Sequence, residues 1–446
     1  MHRNGLRGVH YLPTRLDSAA GAEPAKFALK PIRNIDLDGD PQLNVRGGAY
    51  PIDVDGDDTF ELLHFNGYRL MRVYGAKGGK LWQVDNPSGR VHRDYSHRDT
   101  LAVFDADGNP GQEIVHCWSA PDAVDKLLVL RDGATGRVLK QVDLVGQAAT
   151  EECQIAAFRV SGQEAPLILV AGKAPDSACK KGNWTPYFAE TFAFRADLTK
   201  LWESTICAAG HYAWPLDENG DGQAEAVFVG KYLLQPDGIT RCVLPIGGDH
   251  VDSMVVADLD PDRAGLEALT VGTSGTRFFS ASGCTLRWTI PSGTIANPQQ
   301  TGAAFLEPNS RTPDLLVTNK LNPSETGYEL RPLAGTTVDA AGRTLGTYVD
   351  DSNMIAPPMQ NANLDGKPAA EDRVAGFGQV VDGKGQRRLD TSWYWGLQQL
   401  TPEEETLDPR EQWSRNPFAF DLGDDGRDEL VVWGRHNLVV GTLDTH

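Results

Sequence analysis

The chain has 446 residues, of which 42 are basic and 61 are acidic, so its net charge at pH 7 is −19. A nucleic-acid binder needs a basic face to meet phosphates, and this charge balance argues against that class of function. No apolar run approaches the roughly 18 residues of a membrane span, so we expect no membrane insertion. The first residues also lack the apolar core of a signal peptide.

One pattern recurs along the chain: a short apolar run, a polar loop that is acidic in most copies, and a second apolar run. The clearest copies are AYPIDVDGDDTFELLHF, LAVFDADGNPGQEIVHCW, AWPLDENGDGQAEAVFVG and FAFDLGDDGRDELVVWG. The repeat is about 50 residues long, a period at which propeller blades recur. Eight copies are found, and their loops start at Asp53, Asp105, Arg159, Asp217, Asp258, Glu307, Asn363 and Asp421.

Two further strand-like stretches joined by a glycine turn follow each copy, as in RVYGAKGGKLWQV and LVLRDGATGRVLKQV. Four strands per repeat are typical of a propeller blade. The sequence therefore predicts an all-β fold, with 1–446 forming a single β-propeller domain of eight four-stranded blades, or seven if the weak copies at Glu307 and Asn363 are not blades. The last copy has room for two strands, and the N-terminal stretch 8–35 is expected to supply the other two and close the ring.

Three of the loops place oxygen ligands at loop positions 1, 3, 5 and 9 around a tight turn. Hard oxygen donors that converge in this way suit Ca²⁺. The alternative is a purely structural turn, because Asp and Asn also bond their own backbone. We expect structural calcium at these loops, with the ligands Asp53, Asp55, Asp57, Glu61, Asp105, Asp107, Asn109, Glu113, Asp217, Asn219, Asp221 and Glu225.

Histidines concentrate at the end of the predicted blades that lies opposite the acidic loops. Residues that enter the first strand of a blade crowd around the axis, because that strand lines the central channel. Asp99, His211 and Asp252 share one entry register, and His97, Glu151 and His250 share another. His64 and His116 both lie eleven residues after their loop Asp, where the second strand is expected to end.

Histidine clustered with lysine, tyrosine and carboxylates can supply bases, acids and charge neutralisers. A transition-metal site built from His97, His116 and His211 is a less favoured use of the same residues. The six cysteines contain no C-x-x-C pair, which excludes a zinc ribbon or a thioredoxin-type site. Their even number permits three disulfides, but we favour free buried thiols in apolar strands.

The run His97-Arg98-Asp99-Thr100-Leu101, with His116-Cys117-Trp118 after it, resembles the propeller-type polysaccharide lyases. GHYAWPLDENGDG followed by VGKYLL is similar to the same families. The most similar groups are the ulvan lyases and the rhamnosyl-glucuronate lyases that trim gum arabic-type glycans, with the rhamnogalacturonan lyases more distant. The acidic loops resemble the FG-GAP calcium loops of integrin-type propellers.

The resemblance implies β-elimination at a rhamnose-α-1,4-glucuronate linkage of an acidic polysaccharide, which leaves an unsaturated uronate. The uronate carboxylate must be neutralised before the C5 proton is removed, and further groups take that proton and protonate the leaving oxygen. The implied catalytic residues are His97, His116, His211 and Tyr212. The implied substrate-binding residues are Arg98, Asp99, Lys173, Tyr187, Lys231, Tyr232 and His250. The family also implies a secreted or periplasmic monomer.

Other functions fit parts of this pattern. A non-catalytic FG-GAP-type propeller that binds glycan or protein would keep the calcium loops and leave the axial histidines dispensable. A hydrolase needs two carboxylates about 5–10 Å apart, and Asp99, Glu151 and Asp252 offer them. A quinoprotein dehydrogenase is disfavoured, because we expect no repeated tryptophan docking motif in this chain.

Overall fold

The computed structural model describes residues 27–37, 47–66, 70–86, 101–119, 126–144, 153–163, 165–172, 190–207, 210, 213–247, 250–272, 274–291, 294–295, 298–304, 311–319, 333–350, 360–362, 372–375, 379–381, 387–389, 418–422, 427–433 and 437–445. Their regular elements are β-strands, which confirms the all-β class. None of these residues belongs to a helix able to cross a membrane.

Six sheets each contain four consecutive antiparallel strands. Sheet 1 contains β2 (Gly47–Ile52), β3 (Glu61–Asn66), β4 (Leu70–Tyr74) and β5 (Lys80–Asp85). Sheet 2 contains β6 (Leu101–Phe104), β7 (Glu113–Ser119), β8 (Lys126–Asp132) and β9 (Val138–Asp143). Sheet 3 contains β10 (Cys153–Phe158), β11 (Leu167–Gly172), β12 (Glu190–Arg195) and β13 (Lys200–Thr205).

The next three sheets follow the same order. Sheet 4 contains β14 (Ala213–Leu216), β15 (Ala226–Val229), β16 (Tyr232–Leu234) and β17 (Thr240–Val243). Sheet 5 contains β18 (Ser253–Ala257), β19 (Glu267–Gly272), β20 (Gly275–Ser280) and β21 (Thr285–Pro291). Sheet 6 contains β22 (Pro298–Ala304), β23 (Asp314–Asn319), β24 (Leu333–Val338) and β25 (Thr344–Asp350).

The remaining strands form one eight-stranded sheet that divides into two four-stranded units. Sheet 7 contains β26 (Gln360–Ala362), β27 (Asp372–Ala375), β28 (Gln379–Val381) and β29 (Arg387–Leu389). Sheet 8 contains β30 (Phe418–Phe420), β31 (Glu429–Trp433), β32 (Asn437–Thr445) and β1 (Phe27–Asp36). The two units meet at a single parallel pair, Phe27 with Leu389.

The composition of sheet 8 corrects the sequence prediction. The last copy supplies three strands, and the described part of the N-terminal stretch supplies one, β1; residues 8–26 of that stretch lie outside the described residues. The reason is the length of β32, nine residues that pair antiparallel with β31 on one side and with β1 on the other. All eight predicted loop starts lie between the first and second strand of a unit. Eight four-stranded units in this order are consistent with a propeller.

The second and third strands of the sheets are more buried than the fourth strands. The second or third strands, such as β4, β15 and β19, are buried along their whole length, because apolar residues on both of their faces pack against neighbouring sheets. The fourth strands, such as β5 and β13, are largely exposed. First strands contact one another from sheet to sheet, as β6 does with β10 and β14 with β18.

An apolar cluster joins sheet 1 to sheet 8. Ala49 and Leu62 of sheet 1 pack in it with Ile35, Leu438 and Val440 of sheet 8. The first and last units are therefore neighbours in space, which is the arrangement that a ring of blades requires.

A tryptophan in the fourth strand ties three of the sheets to the next one. In each case the residue directly follows a β-bulge, and its indole N–H donates to a carbonyl in the turn between the third and fourth strands of the next sheet. The pairs are Trp82 Nε1 with Gly133 O at 2.8 Å, Trp202 Nε1 with Pro236 O at 2.9 Å, and Trp288 Nε1 with Ala340 O at 2.8 Å.

A glycine of the same turn lies against each of these rings. A Cβ atom at Gly136, Gly238 or Gly342 would come within 2.7 to 3.0 Å of a ring atom, and all three glycines have positive φ. We call this contact the seam latch. It shows that the expectation of no repeated tryptophan docking contact is wrong.

At the two intervening seams, other residue types make the contact at the position of the tryptophan. Lys140, in the same position of β9, approaches Asp197 of the sheet 3 turn at 3.8 Å. Cys242 of β17 forms a disulfide with Cys284, which has a φ of 52° in the sheet 5 turn. Cys117 and Cys207 are also disulfide-bonded. The expectation of free thiols is therefore wrong for these four cysteines.

Replacing both Cys242 and Cys284 by alanine is expected to lower the free energy of unfolding by about 2–4 kcal/mol, because the bond closes a long chain segment. Urea unfolding under non-reducing conditions measures the change. Lys140→Ala at the equivalent seam is the control, and loss of that exposed ion pair should cost at most about 1 kcal/mol. Equal losses in the two proteins would contradict the assignment of the disulfide as a seam-holding bond.

Candidate functional site

The segments that enter sheets 4 and 5 touch one another at the end opposite the acidic loops. A Cβ atom at Gly210 would lie 2.1 Å from the carbonyl oxygen of Val251, so only glycine allows this approach. Gly210 precedes the predicted catalytic residues His211 and Tyr212, which lie outside the described residues. The contact places Gly210 beside the segment of His250.

His250 and Asp252 form a pair at this end of sheet 5. His250 Nε2 lies 2.9 Å from Asp252 Oδ1, and the two side chains are 15% and 5% exposed. A carboxylate in this position fixes the orientation of the imidazole ring. His97 and Asp99 have the same two-residue spacing and the same predicted register, but they lie outside the described residues, as does Arg98. Among the described residues, the His250–Asp252 pair is therefore the example of a histidine and an aspartate two residues apart at the entry to a first strand.

Lys231 and Tyr232 lie in the turn between β15 and β16, at the same end of sheet 4. Lys231 Nζ donates to Gly247 O at 2.6 Å and lies 5.6 Å from the centroid of the Tyr232 ring. The lysine therefore holds the segment that leads to His250. Three predicted substrate-binding residues, Lys231, Tyr232 and His250, stand at one end of two adjoining sheets. Lys173 and Tyr187 lie outside the described residues.

His116 lies within β7, opposite Leu101, and not at a strand exit. It is 2% exposed, and its Nε2 accepts a hydrogen bond from Arg131 Nε at 2.8 Å. The guanidinium of Arg131 also stacks over Trp118, with its central carbon 4.5 Å from the ring centroid. Burial, with the charge of Arg131 adding to it, holds the pKa of His116 well below its ordinary value, so the ring is neutral.

His64 of sheet 1 is also buried next to an arginine, although Arg131 stands across from Ile114 and not from His116. His64 is 2% exposed and stands directly across from Arg72, whose Nη1 donates to Leu37 O at 2.8 Å. Burial, followed by the charge of Arg72, lowers the pKa of His64 to about 3. A histidine–arginine pair that recurs in neighbouring sheets favours a structural role. Sequence reasoning noted the shared histidine register and missed both arginines.

The two buried histidines predict acid sensitivity. Their pKa values lie below the ordinary 6.5, so their contribution to stability is complete above pH 6.5 and falls as the pH decreases, for His64 down to about pH 3. Each histidine should add about 1.4 kcal/mol per pH unit to the slope of unfolding free energy against pH in that window. Denaturant unfolding of His64→Gln should show that much less slope than the parent between pH 6 and 4, and the same slope above pH 7. Parallel curves for the two proteins would contradict the prediction.

Three clusters of carboxylates form in the acidic loops, and within each cluster one ligand atom from every residue lies within 4.8 Å of the others. The clusters contain Asp53, Asp55 and Glu61; Asp105, Asp107 and Glu113; and Asp217, Asp221 and Glu225. In all three, the glutamate at the start of the second strand accepts a hydrogen bond from the amide of loop position 2. These residues include nine of the twelve ligands expected from the sequence.

The other three expected ligands make local hydrogen bonds. Asp57 Oδ1 accepts a hydrogen bond from Thr59 N at 2.7 Å. Asn219 Nδ2 donates to Asp221 and Glu225 at 3.2 and 3.0 Å, so the amide stands between two carboxylates. Asn109 is exposed, and its backbone N–H donates to Asp107 Oδ1 at 2.9 Å.

Crowded carboxylates make these loops suited to a cation. Burial, together with the nearby charges of Asp107 and Asp105, raises the pKa of Glu113 to about 7, although a hydrogen bond from the backbone of Ala106 acts in the opposite direction. Burial likewise raises the pKa of Glu61. A divalent cation would offset this repulsion, and all-oxygen donors fit a hard ion.

The fifth loop, which starts at Asp258, differs from these three. Its Asp260 Oδ2 lies 3.0 Å from Arg263 Nε, so a guanidinium already pairs with one of its carboxylates. Among the described residues, Asp258, Asp260 and Glu267 do not converge as the three clusters do.

No family model matches the chain. It is 24% identical over 303 residues to the rhamnogalacturonan exolyase YesX of Bacillus subtilis (strain 168), an alignment that covers 57% of this chain and 48% of that protein. It is 26% identical over 268 residues to the rhamnogalacturonan endolyase YesW of the same organism, covering 49% and 42%. The chain thus spans about half the length of the curated relatives that it matches.

The fold resembles solved structures of the same kind of enzyme. The TM-score is 0.60 with the crystal structure of rhamnogalacturonan lyase YesW, at 16% identity, over 93% of this chain and 76% of that one. It is 0.61 with a Bacillus licheniformis rhamnogalacturonan lyase PL11, at 17% identity, over 94% and 75%. The sequence analysis placed this group further away than the ulvan and rhamnosyl-glucuronate lyases, and similarity to those two groups stays a prediction. The chain is therefore similar in sequence to two polysaccharide lyases and shares their fold.

Proposed function

We propose that this protein is a polysaccharide lyase that cleaves the bond between rhamnose and a 4-linked uronate by β-elimination. The observation that carries the proposal is the sequence similarity to two rhamnogalacturonan lyases over 303 and 268 residues. The name of their substrate denotes rhamnose and galacturonate. The rhamnose-α-1,4-glucuronate linkage expected from the sequence is the finer prediction within the same proposal.

The reaction breaks the C5–H bond of the uronate, forms the C4–C5 double bond and expels the oxygen on C4. In the proposed roles, His97 oriented by Asp99 takes the C5 proton, while Tyr212 beside His211 donates a proton to the leaving oxygen. The cations Arg98, Lys173 and Lys231 neutralise the carboxylate, which lowers the energy of the carbanion-like state. Tyr187, Tyr232 and His250 hold the sugars.

Two described contacts support these roles. The His250–Asp252 pair shows how the entry register orients a histidine, and Lys231 stands at the same end of the neighbouring sheet. His116 enters the proposal on the resemblance alone, because its Nε2 is engaged by Arg131 in a buried position.

The proposal extends to the whole chain. Residues 1–446 form one domain, a closed eight-bladed propeller that acts as a monomer. Structural Ca²⁺ is held by Asp53, Asp55 and Glu61, by Asp105, Asp107 and Glu113, and by Asp217, Asp221 and Glu225. Secretion or periplasmic export is supported by the disulfides, which persist in oxidising compartments.

The test is the ultraviolet absorbance of the unsaturated uronate during incubation with rhamnogalacturonan, ulvan or gum arabic. Polygalacturonate, which offers a uronate without rhamnose, is the control glycan. A rise with a rhamnose-containing glycan and none with polygalacturonate is the expected result, and the substrate that responds identifies the uronate. No rise with any of the three would overturn the lyase proposal.

A second candidate is a non-catalytic propeller that binds glycan or protein. The observation that favours it is the interior position of His116 and its duplication by His64. This candidate predicts glycan binding without any unsaturated product, so the same incubation distinguishes it.

A further inference from the structure

A cavity of about 520 Å³ opens at the seam between sheets 3 and 4. It lies at the end of the sheets that carries the acidic loops, and therefore opposite His250 and Lys231. Its walls come from the third loop, strand β13, the fourth loop, the turn between β16 and β17, and β17 itself. Its volume is within the roughly 300–1,000 Å³ range of small-molecule sites.

The walls of this cavity are held in place by bonds that cross the seam. Ser161 Oγ of the third loop donates to Glu225 Oε1 of the fourth loop at 2.5 Å. Trp202 is fixed by the seam latch, with its Nε1 on Pro236 O at 2.9 Å. Because these bonds fix its walls, the cavity is preorganised for a ligand. A ligand that binds a preorganised site loses less free energy to the ordering of side chains.

The lining combines an aromatic ring with free amide groups. Trp202 is partly exposed, and Gly238 lies close against its ring. The side-chain amides of Gln163 and Gln235 have no hydrogen-bond partner among the described residues. Each amide offers two donor hydrogens and an acceptor oxygen, which suits the hydroxyl groups of a sugar. An indole suits the apolar C–H face of a pyranose ring.

The charge of the lining selects against an acidic ligand. Arg241 donates to both carboxylate oxygens of Glu218, at 2.8 and 3.0 Å, so its positive charge is already paired. Asp237 adds a carboxylate to the walls, and Glu225 adds a second one that the proposed Ca²⁺ would neutralise. A uronate would meet Asp237 without an unpaired lining cation, while a neutral sugar would meet hydroxyl-binding groups.

We propose that this cavity is a second glycan-binding site, which takes a neutral sugar residue of a polysaccharide and lies away from the proposed catalytic end. It would hold the polymer on the enzyme while another segment of the same chain is cleaved. The inference rests on the proposed function only for this benefit to catalysis. Binding itself does not require lyase chemistry.

The test is affinity electrophoresis in gels that contain a neutral rhamnan or a neutral galactan, with polygalacturonate as the acidic counterpart. The variant is Gln163→Ala/Gln235→Ala, and the control is Gln141→Ala, an exposed glutamine in β9 outside the cavity. Neutral glycan should retard the parent and the control, and the double variant should bind at least about fivefold more weakly, as expected for two lost hydrogen bonds. Polygalacturonate should give no difference between parent and double variant.

Equal retardation of the double variant and the parent would overturn the site, and so would a parent that neither neutral glycan retards. The failure of the proposed function gives a different result. If no glycan yields unsaturated product but the double variant still loses retardation, the binding site stands and the lyase proposal falls.

Discussion

Replacing His97 by glutamine is expected to lower kcat by about 10²–10⁴-fold, the usual contribution of a positioned general base. Glutamine keeps the size and polarity of the side chain but cannot accept the C5 proton of the uronate. The measurement is the initial rate of unsaturated product at saturating glycan. Asp99→Asn should give a smaller loss and a changed pH profile, because we expect Asp99 to orient the His97 ring as a carboxylate 2.9 Å from a ring nitrogen does in the His250–Asp252 pair.

His64→Gln is the control for His97→Gln, since His64 is buried in sheet 1 and has no role in the proposed reaction. It should keep the parent turnover at a temperature where it is folded. A His97→Gln enzyme with near-parent kcat would remove this residue from the mechanism.

His116→Gln and His64→Gln form a matched pair, because both histidines occupy the same register beside an arginine. We expect similar losses of stability in the two variants. If His116 is also catalytic, as the resemblance implies, only His116→Gln will lose turnover. Equal turnover in both variants would leave His116 with the structural role that its burial indicates.

Calcium is expected to raise the melting temperature of the protein strongly, because three clusters of like charges lie in loops between the first and second strands. Binding at a concentration of 100 Kd would contribute about 2.7 kcal/mol per site, or roughly 8 kcal/mol for three sites. Thermal unfolding with added Ca²⁺, and after chelation, measures the shift. Mg²⁺ should be a weaker substitute, since it demands octahedral geometry and retains its waters.

Asp105→Asn and Asp258→Asn separate specific binding from general screening. The first variant removes a carboxylate from a converging cluster, so it should lose about one third of the calcium-induced shift. The second variant should keep the full shift, because Arg263 already supplies the positive charge in the fifth loop. An identical response of both variants would contradict the assignment of calcium to these loops.

The eight-fold repeat was predictable because its loops carry a local signal, and each loop start falls between two strands of one unit. The strand count of sheet 8 was not predictable in the same way. The sequence analysis assigned the nine residues of β32 to no strand, and their pairing with β31 and β1 shows that they form a third one. Register across a distance of four hundred residues leaves no local pattern in the sequence.

In the candidate site, too, features set by local spacing were predictable and features set by contacts between strands were not. The convergence of Asp217, Asp221 and Glu225 follows from their spacing in one loop and was predicted. The burial of His116 depends on Arg131, which belongs to the next strand and carries no spacing signal. The seam latch was missed for a similar reason, because Trp82, Cys242 and Lys140 share a position but not a residue type.

The position of β1 in sheet 8 constrains the order in which the sheets can form during synthesis. Asn437 Nδ2 donates to Asn34 Oδ1 at 2.7 Å across a separation of 403 residues, whereas sheets 1–6 are each complete within one stretch of sequence. At a synthesis rate of roughly 5–20 residues per second, β1 leaves the ribosome on the order of 20–80 s before its partner. The strands of sheets 1–7 can therefore pair before β32 is synthesised, whereas sheet 8 can be completed only afterwards. Until then the edge of β1 that pairs with β32 has no partner, and an unpaired strand edge favours aggregation.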